Sequence, residues 1–267
     1  MQAWHALAPA ATIHLSMTLC GGQCFRWRKT PRGTWVGVVR DNAYELCNPR
    51  EVVLEHGAGK GGKEGVSAAM SLPFQVTSSS SRTSSSTVAG ISSPAETLWF
   101  RCLNKVPTDS AAVEQQVMFL RHYLALDIDL EKMWRRWTKE NPMGNHPLVR
   151  ALISCGLSDL PVSIRHLRQD LHETLLTFLC SQNNNIQRIT GLVERLAASY
   201  GDFLCEYNMA TGDVRHIPGG GHGAGNLRKR STRDEWTALY SLPSMAQLAK
   251  AKEEELKALA LDIEAGI

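Results

Sequence analysis

Between Thr12 and Leu54, apolar and polar positions alternate over short runs broken by turn residues: IHLSMTL, Gly21-Gly22, QCFRWRK, Pro31-Arg32-Gly33, TWVGVVR, Asp41-Asn42 and AYEL. Successive runs of this length separated by two to four turn residues predict an antiparallel meander of short strands. Phe25 and Trp27 alternate with Cys24, Arg26 and Arg28, which predicts one aromatic face and one polar face. ETLWFRCL, after residue 95, predicts a further strand.

Beyond that strand the period changes. AAVEQQVMFLRHYLAL predicts a helix capped by Asp109, with Val113, Val117, Leu120 and Leu124 on one face. DIDLEKMWRRW predicts another short helix whose Trp134 and Trp137 serve core or interface packing, and HPLVRALIS opens a wholly helical remainder. The most unusual stretch is Asp170 to Leu196, DLHETLLTFLCSQNNNIQRITGLVERL, two amphipathic helical patterns joined by a run of amides. Asp170 is placed to cap the first helix, with Glu173 reaching back as in a capping box. Leu171, Leu175, Phe178 and Leu179 share one apolar face; Ile186, Ile189, Val193 and Leu196 share another, with Arg188 and Arg195 on the solvent side and Gly201 ending the helix. The asparagines of the connection tolerate left-handed backbone geometry and make good caps. LPSMAQLAKAKEEELKALAL then predicts two short helices, with Pro243 opening the first.

A strand-rich half followed by a helix-rich half predicts an α+β protein: an N-terminal antiparallel β-sheet domain over 1–140 and a helical domain over 141–267. Two stretches interrupt it. Residues 56–95 carry HGAGKGGKEG and a serine-rich tract with too little apolar content to pack, which predicts a disordered insertion. Residues 205–236 hold HIPGGGHGAGNLRKRSTR, predicted as a flexible basic insertion. Its glycines do not lead into an apolar helical pattern, as a phosphate-cradling loop requires.

Composition narrows the picture modestly. At 267 residues and 43% hydrophobic content the chain can build a real core, and a net charge of +3 permits a nucleic-acid partner without demanding one. Seven scattered cysteines without a CxxC pair fit reduced thiols better than disulfides or a zinc site. No run approaches the roughly 20 apolar residues of a membrane helix, and MQAWHALAPAATIHL lacks the basic lead of a signal peptide.

GGQCFRWR (Gly21 to Arg28) followed by TWVGVV, then EQQVMFLRHYLALDIDLEKMWRRW, then FLCSQNNNIQRITGLVERL, together resemble the eukaryotic 8-oxoguanine DNA glycosylase family of the helix-hairpin-helix glycosylase superfamily. The resemblance covers nearly all of the chain apart from the two insertions. It implies a β domain followed by a helical body that grips duplex DNA and extrudes an oxidised guanine lying opposite cytosine, at a cost of about a few kcal/mol for unstacking. It implies that the Gly22 carbonyl accepts a hydrogen bond from the N7–H of the lesion. Undamaged guanine presents an acceptor at N7 and would repel that carbonyl. It implies further that Asn183 fills the hole left in the duplex, that Asn185 belongs to the same DNA-contacting run, and that Arg188 reads the orphaned cytosine. Double-stranded damaged DNA is the implied partner of a monomeric protein with no cofactor, metal or membrane, in the nucleus or, alternatively, the mitochondrion.

The resemblance also implies a lysine nucleophile after a Leu-Pro-Gly-x-Gly hairpin, forming a Schiff base with the sugar, and a downstream aspartate. Neither has a match here: Pro218 to Gly221 comes too early in the order of elements, and Glu264 stands where the family carries a second cytosine-reading arginine. The catalytic residues are therefore expected beyond Ile267, with the helical domain incomplete, as in a truncated or misassembled gene or a splice product, and the chain as written inactive. Two readings stay open: an incomplete copy of a bifunctional glycosylase and AP lyase, or a non-catalytic DNA-binding fragment that folds poorly. A structural α+β protein with fortuitous motifs is the third.

Overall fold

The alternating runs near the N-terminus form an antiparallel sheet of β1 (His5–Pro9), β2 (Trp27–Lys29), β3 (Trp35–Val39), β4 (Asn42–Cys47) and β5 (Thr97–Cys102), in the order β1-β5-β4-β3-β2. The computed structural model describes residues 2–56, 93–136, 146–147, 150–151, 163–217 and 236–261. Most of the 56–95 insertion, most of HPLVRALIS, and Trp137, Pro218 to Gly221 and Glu264 lie outside the described residues. Trp27 pairs with Gly37 across β2 and β3, and a Cβ at Gly37 would stand 2.4 Å from Trp27 Cδ2, so only glycine lets the indole lie across that strand. The β3–β4 hairpin closes through Arg40-Asp41, one residue earlier than expected: Val39 pairs with Asn42, and Arg40 takes the left-handed φ of 56°.

Two expectations for this half are corrected. IHLSMTL contains no strand; Leu15–Leu19 is helix α1, because Glu51 accepts from Leu15 N (2.6 Å) and Ser16 N (2.9 Å) and His14 Nδ1 accepts from Met17 N (3.3 Å). Those bonds satisfy donors that the first turn of a helix leaves open. Glu51 comes from α2 (Pro49–His56), out of reach of any local pattern. The sheet instead starts at His5–Pro9, whose Ala- and Pro-rich composition carries little strand signal and which is held by pairing with β5. Nor is Arg26 on a solvated face: it is 3% exposed, although Trp27 is buried as the pattern requires.

Helix α3 (Ser110–Tyr123) is capped as expected, Asp109 accepting from Ala112 N at 2.8 Å, and it buries Leu120 in the main core with Leu124 just past its end. Its last residue, Tyr123, takes the indole N–H of Trp27 on its hydroxyl (3.0 Å). Helix α4 (Leu130–Arg135) follows, with Trp134 half-buried.

The margins of the expected 205–236 insertion are ordered strands. β6 (Phe203–Asn208), β7 (Val214–Arg215) and β8 (Trp236–Tyr240) form a second antiparallel sheet in the order β7-β6-β8. Cys205 and Tyr207 of β6 pack with Val36, Val38 and Leu103 of the first unit, which supplies the burial that so short a sheet lacks alone. The result is a mixed α+β fold, an N-terminal antiparallel sheet followed by helices.

Those helices are α5 (Leu171–Ser181), α6 (Ile186–Tyr200), α7 (Met245–Leu248) and α8 (Glu253–Leu261). Asp170 caps α5, accepting from His172 N (3.0 Å) and Glu173 N (3.4 Å). Replacing Asp170 by alanine is expected to lower stability by about 1 kcal/mol, read as a shift in the urea midpoint at unchanged slope. Ser244 and Gln247 form a full capping box on α7 just after Pro243.

The face of α5 departs from its pattern. Leu171, Leu175, Phe178 and Leu179 are 83%, 49%, 66% and 55% exposed, whereas Glu173, Leu176 and Thr177 are buried. The expected capping box does not close because Glu173 points inward, beneath the charge of Arg26 and the backbone N–H of Arg40. That attachment orients the helix. In α6, Ile189 and Val193 are buried as expected, but Ala197 completes the stripe, Leu196 is half-buried and Ile186 is exposed. Arg195 leaves the solvent side too: it is half-buried and its Nε donates to Leu259 O of α8 at 3.1 Å.

Candidate nucleic-acid interface

Gly22 and the start of α6, far apart in sequence, meet in space. Gly22 is exposed in the turn before β2 with φ of 77°, a conformation natural to glycine, and a Cβ placed on it would lie 3.9 Å from Ile186 Cδ1. Ile186 is the first residue of α6 and follows the asparagine run directly.

Each amide of that run has a distinct local role. Asn183 is exposed and takes a left-handed φ of 55°, Asn184 Nδ2 donates to Cys180 O (2.8 Å) and ties the connection to the end of α5, and Asn185 Oδ1 caps α6 by accepting from Arg188 N (2.9 Å). The capping and left-handed geometry expected from the sequence are both present. Arg188 is not on a fully solvated face: it is half-buried, and its Nε is shielded from solvent without a hydrogen-bond partner. The Arg188 guanidinium is thus half-buried near the exposed amide run, with no protein acceptor at Nε.

The sequence pattern left unmarked the residues that hold this arrangement. Gln23 Nε2 donates to Thr18 O (2.9 Å) and Arg165 O (2.8 Å), its Oε1 accepts from Leu167 N (2.9 Å), and its main-chain carbonyl accepts from the Gln169 side chain. These bonds fasten the Gly22 turn to the extended segment that leads into α5. Arg165, 5% exposed, supports the same segment by donating to Thr12 O (2.6 Å), Ile128 O (2.9 Å) and Ala125 O. Glu194 of α6 lies 3.8 Å from Arg26 Nε and 3.2 Å from Arg28 Nη2, joining the helix to β2. Gln23, Arg26 and Arg28 stand within the GGQCFRWR run, the one signal that could have marked them; Arg165 and Gln169 carry none.

Burial sets the electrostatics here. It pushes the Glu173 carboxyl above the usual range, an effect that Arg26 and the Arg40 N–H oppose and that Asp170 and Glu194 reinforce. Burial pushes the Cys24 thiol up to about 12, so next to the turn it is a packed thiol and not a nucleophile at neutral pH. Among the described residues no group of three or more His, Cys, Asp or Glu is placed to hold a metal, and no helix is long and apolar enough to cross a membrane.

Residues 6–175 match the family described as 8-oxoguanine DNA glycosylase, N-terminal domain. The N-glycosylase/DNA lyase OGG1 of Arabidopsis thaliana is 27% identical over 148 residues, which cover 55% of this chain and 30% of that protein. Among solved structures, MBOgg1 in complex with a low-affinity DNA ligand superposes with a TM-score of 0.53 at 19% identity over 98% of this chain and 63% of the other. The Clostridium acetobutylicum 8-oxoguanine glycosylase/lyase in complex with dsDNA containing cytosine opposite 8-oxoG gives 0.50 at 16% identity over 93% and 54%. The chain thus spans less than two thirds of each relative's length, and the structural likenesses bear on the fold alone. With the family match extending over more than half of its residues, the chain belongs to the 8-oxoguanine DNA glycosylase family.

Proposed function

We propose that this chain recognises 8-oxoguanine opposite cytosine in duplex DNA, as the recognition part of a base excision repair N-glycosylase and AP lyase. The observation that carries the proposal is the seating of Gly22 against the first residue of α6. The turn that carries the Gly22 carbonyl, read as the group that tests N7–H, thereby approaches the helix that begins after the amide run and carries Arg188, groups suited to the orphaned base. Asn183 enters the vacated stack, Asn185 fixes the helix start, and Arg188 donates to cytosine. Family membership supports the reading, and the names of the relatives agree with it. The protein acts as a monomer on nuclear DNA.

The resemblance is carried by recognition motifs, GGQCFRWR and the asparagine run, so this stretch of chain is read as contributing recognition and not bond cleavage. Borohydride trapping on a duplex containing 8-oxoguanine opposite cytosine is expected to give no covalent adduct, while fluorescence anisotropy shows tighter binding than to the undamaged duplex. An adduct would overturn the inactive assignment, and equal affinities would overturn the recognition assignment. Asn183→Ala and Arg188→Ala are each expected to reduce the preference for cytosine over adenine opposite the lesion by about tenfold, the value of one good base contact. Unchanged opposite-base preference in both variants would remove these residues from the reading.

A further inference from the structure

We propose that Gln23 is a positioning residue for lesion discrimination: it sets the peptide plane that carries the Gly22 carbonyl, and does so relative to α5 and α6. The inference rests on the reading of Gly22 given above and adds to it a residue whose side chain is engaged within the protein.

The Gly22 carbonyl belongs to the peptide unit whose nitrogen is that of Gln23. A glycine at φ of 77° has wide conformational freedom, so its own backbone does not fix the direction of that carbonyl. Gln23 fixes it from the far side. Its carboxamide uses both kinds of atom at once, donating to Thr18 O at the end of α1 and to Arg165 O, and accepting from Leu167 N. Its main-chain carbonyl is held separately by Gln169. Side chain and main chain are therefore anchored to the same extended segment, 165–169, which runs directly into the Asp170 cap of α5 and, through α5, to the asparagine connection. The Gly22 turn and the amide run are thereby held on one hydrogen-bonded frame, with Ile186 at the point where they meet. A carbonyl that must accept from one proton of the extruded base needs its direction held to within a fraction of an ångström, which such a frame provides.

The consequence separates base reading from DNA binding. A duplex with a tetrahydrofuran abasic site opposite cytosine offers the same phosphates, gap and orphaned cytosine but no base for Gly22 to test. Anisotropy with the full chain should show that Gln23→Leu lowers the affinity ratio of 8-oxoguanine over guanine duplexes by about tenfold, as the loss of one aligned hydrogen bond implies. Affinity for the abasic duplex should change by less than about twofold, within the scatter expected for an unaltered contact set. Gln23→Glu, which keeps the acceptor for Leu167 but turns a carboxylate oxygen onto the carbonyls of Thr18 and Arg165, should lower the ratio at least as far. If Gln23→Leu loses cooperative melting, Gln169→Leu, which removes a single bond, carries the same comparison. A ratio unchanged in the folded variants, or abasic affinity falling in parallel with lesion affinity, would reduce Gln23 to a structural residue and overturn the proposal. A wild-type chain with no preference for 8-oxoguanine would overturn the reading of Gly22 itself, and this inference with it.

Discussion

Glu45→Leu is expected to destabilise the fold by about 3–5 kcal/mol, the range for removing one partner of a buried ion pair, and to separate the second sheet from the first. Glu45 is fully buried on β4. Its Oε1 is paired with Arg32 Nη2 and accepts from Thr34 Oγ1 (2.6 Å), while its Oε2 takes Arg101 Nε (2.6 Å) and Nη2 (2.5 Å). The two arginines also reach across to the second sheet: Arg32 Nη2 donates to Tyr207 Oη (2.5 Å) and Arg101 Nη2 to Gly212 O (2.5 Å). One carboxylate thus serves as the shared counter-ion of two arginines that lie between the sheets. Leucine is close in volume and adds apolar area, but Arg101, 8% exposed, would remain charged without a counter-ion, and that penalty exceeds the gain. Urea melts followed by tryptophan fluorescence should show the midpoint shift. A loss below about 1 kcal/mol, the scale of an exposed pair, would show that water reaches the site.

Much of this arrangement was legible in the residues, and the parts that were not share a cause. The strands at Trp35–Val39, Asn42–Cys47 and Thr97–Cys102, the Asp109 and Asp170 caps and the apolar stripe centred on Ile189 and Val193 all follow from local patterns, because each is settled by neighbours within a few residues. The misses are decided from afar. Leu15–Leu19 is helical because a glutamate 36 residues on caps it, and His5–Pro9 is a strand because β5 pairs with it. Helix α5 turns Leu171, Leu175 and Leu179 outward while Glu173 is drawn beneath Arg26 and Arg40. At the candidate site, GGQCFRWR and the asparagine run could be singled out separately. Their meeting at Ile186 could not, nor could the Gln23, Gln169 and Glu194 bonds that enforce it, since no local periodicity encodes a contact across that much chain.

Arg26→Leu is expected to cost about 3 kcal/mol at pH 8 and distinctly less near pH 4.5, because Arg26 is the buried cation that faces Glu173, and it shares Glu194 with Arg28 at the junction of β2, α5 and α6. Arg26 is 3% and Glu173 6% exposed, so neither can recover solvation when its counterpart is removed. Burial already raises the Glu173 pKa above 4.5, and Arg26 opposes that rise; without Arg26 it climbs further. A carboxyl with a folded pKa above its unfolded value contributes most to stability below the unfolded value, here 4.5, and loses that contribution as pH rises through the folded value. The destabilisation should therefore grow with pH across that window, where the wild-type curve declines more gently. Glu173→Gln in the Arg26→Leu background removes the buried anion and should recover most of the loss at pH 8 while changing little at pH 4.5. Urea midpoints of the four proteins at the two pH values form a double-mutant cycle whose coupling term is the Arg26–Glu173 interaction. If the loss is the same at both pH values, burial of Glu173 is not what Arg26 offsets, and the orientation of α5 must be set by its apolar contacts, Leu176 first. If it grows with pH as expected, the same charge that anchors α5 also explains why Leu171, Leu175 and Leu179 face outward.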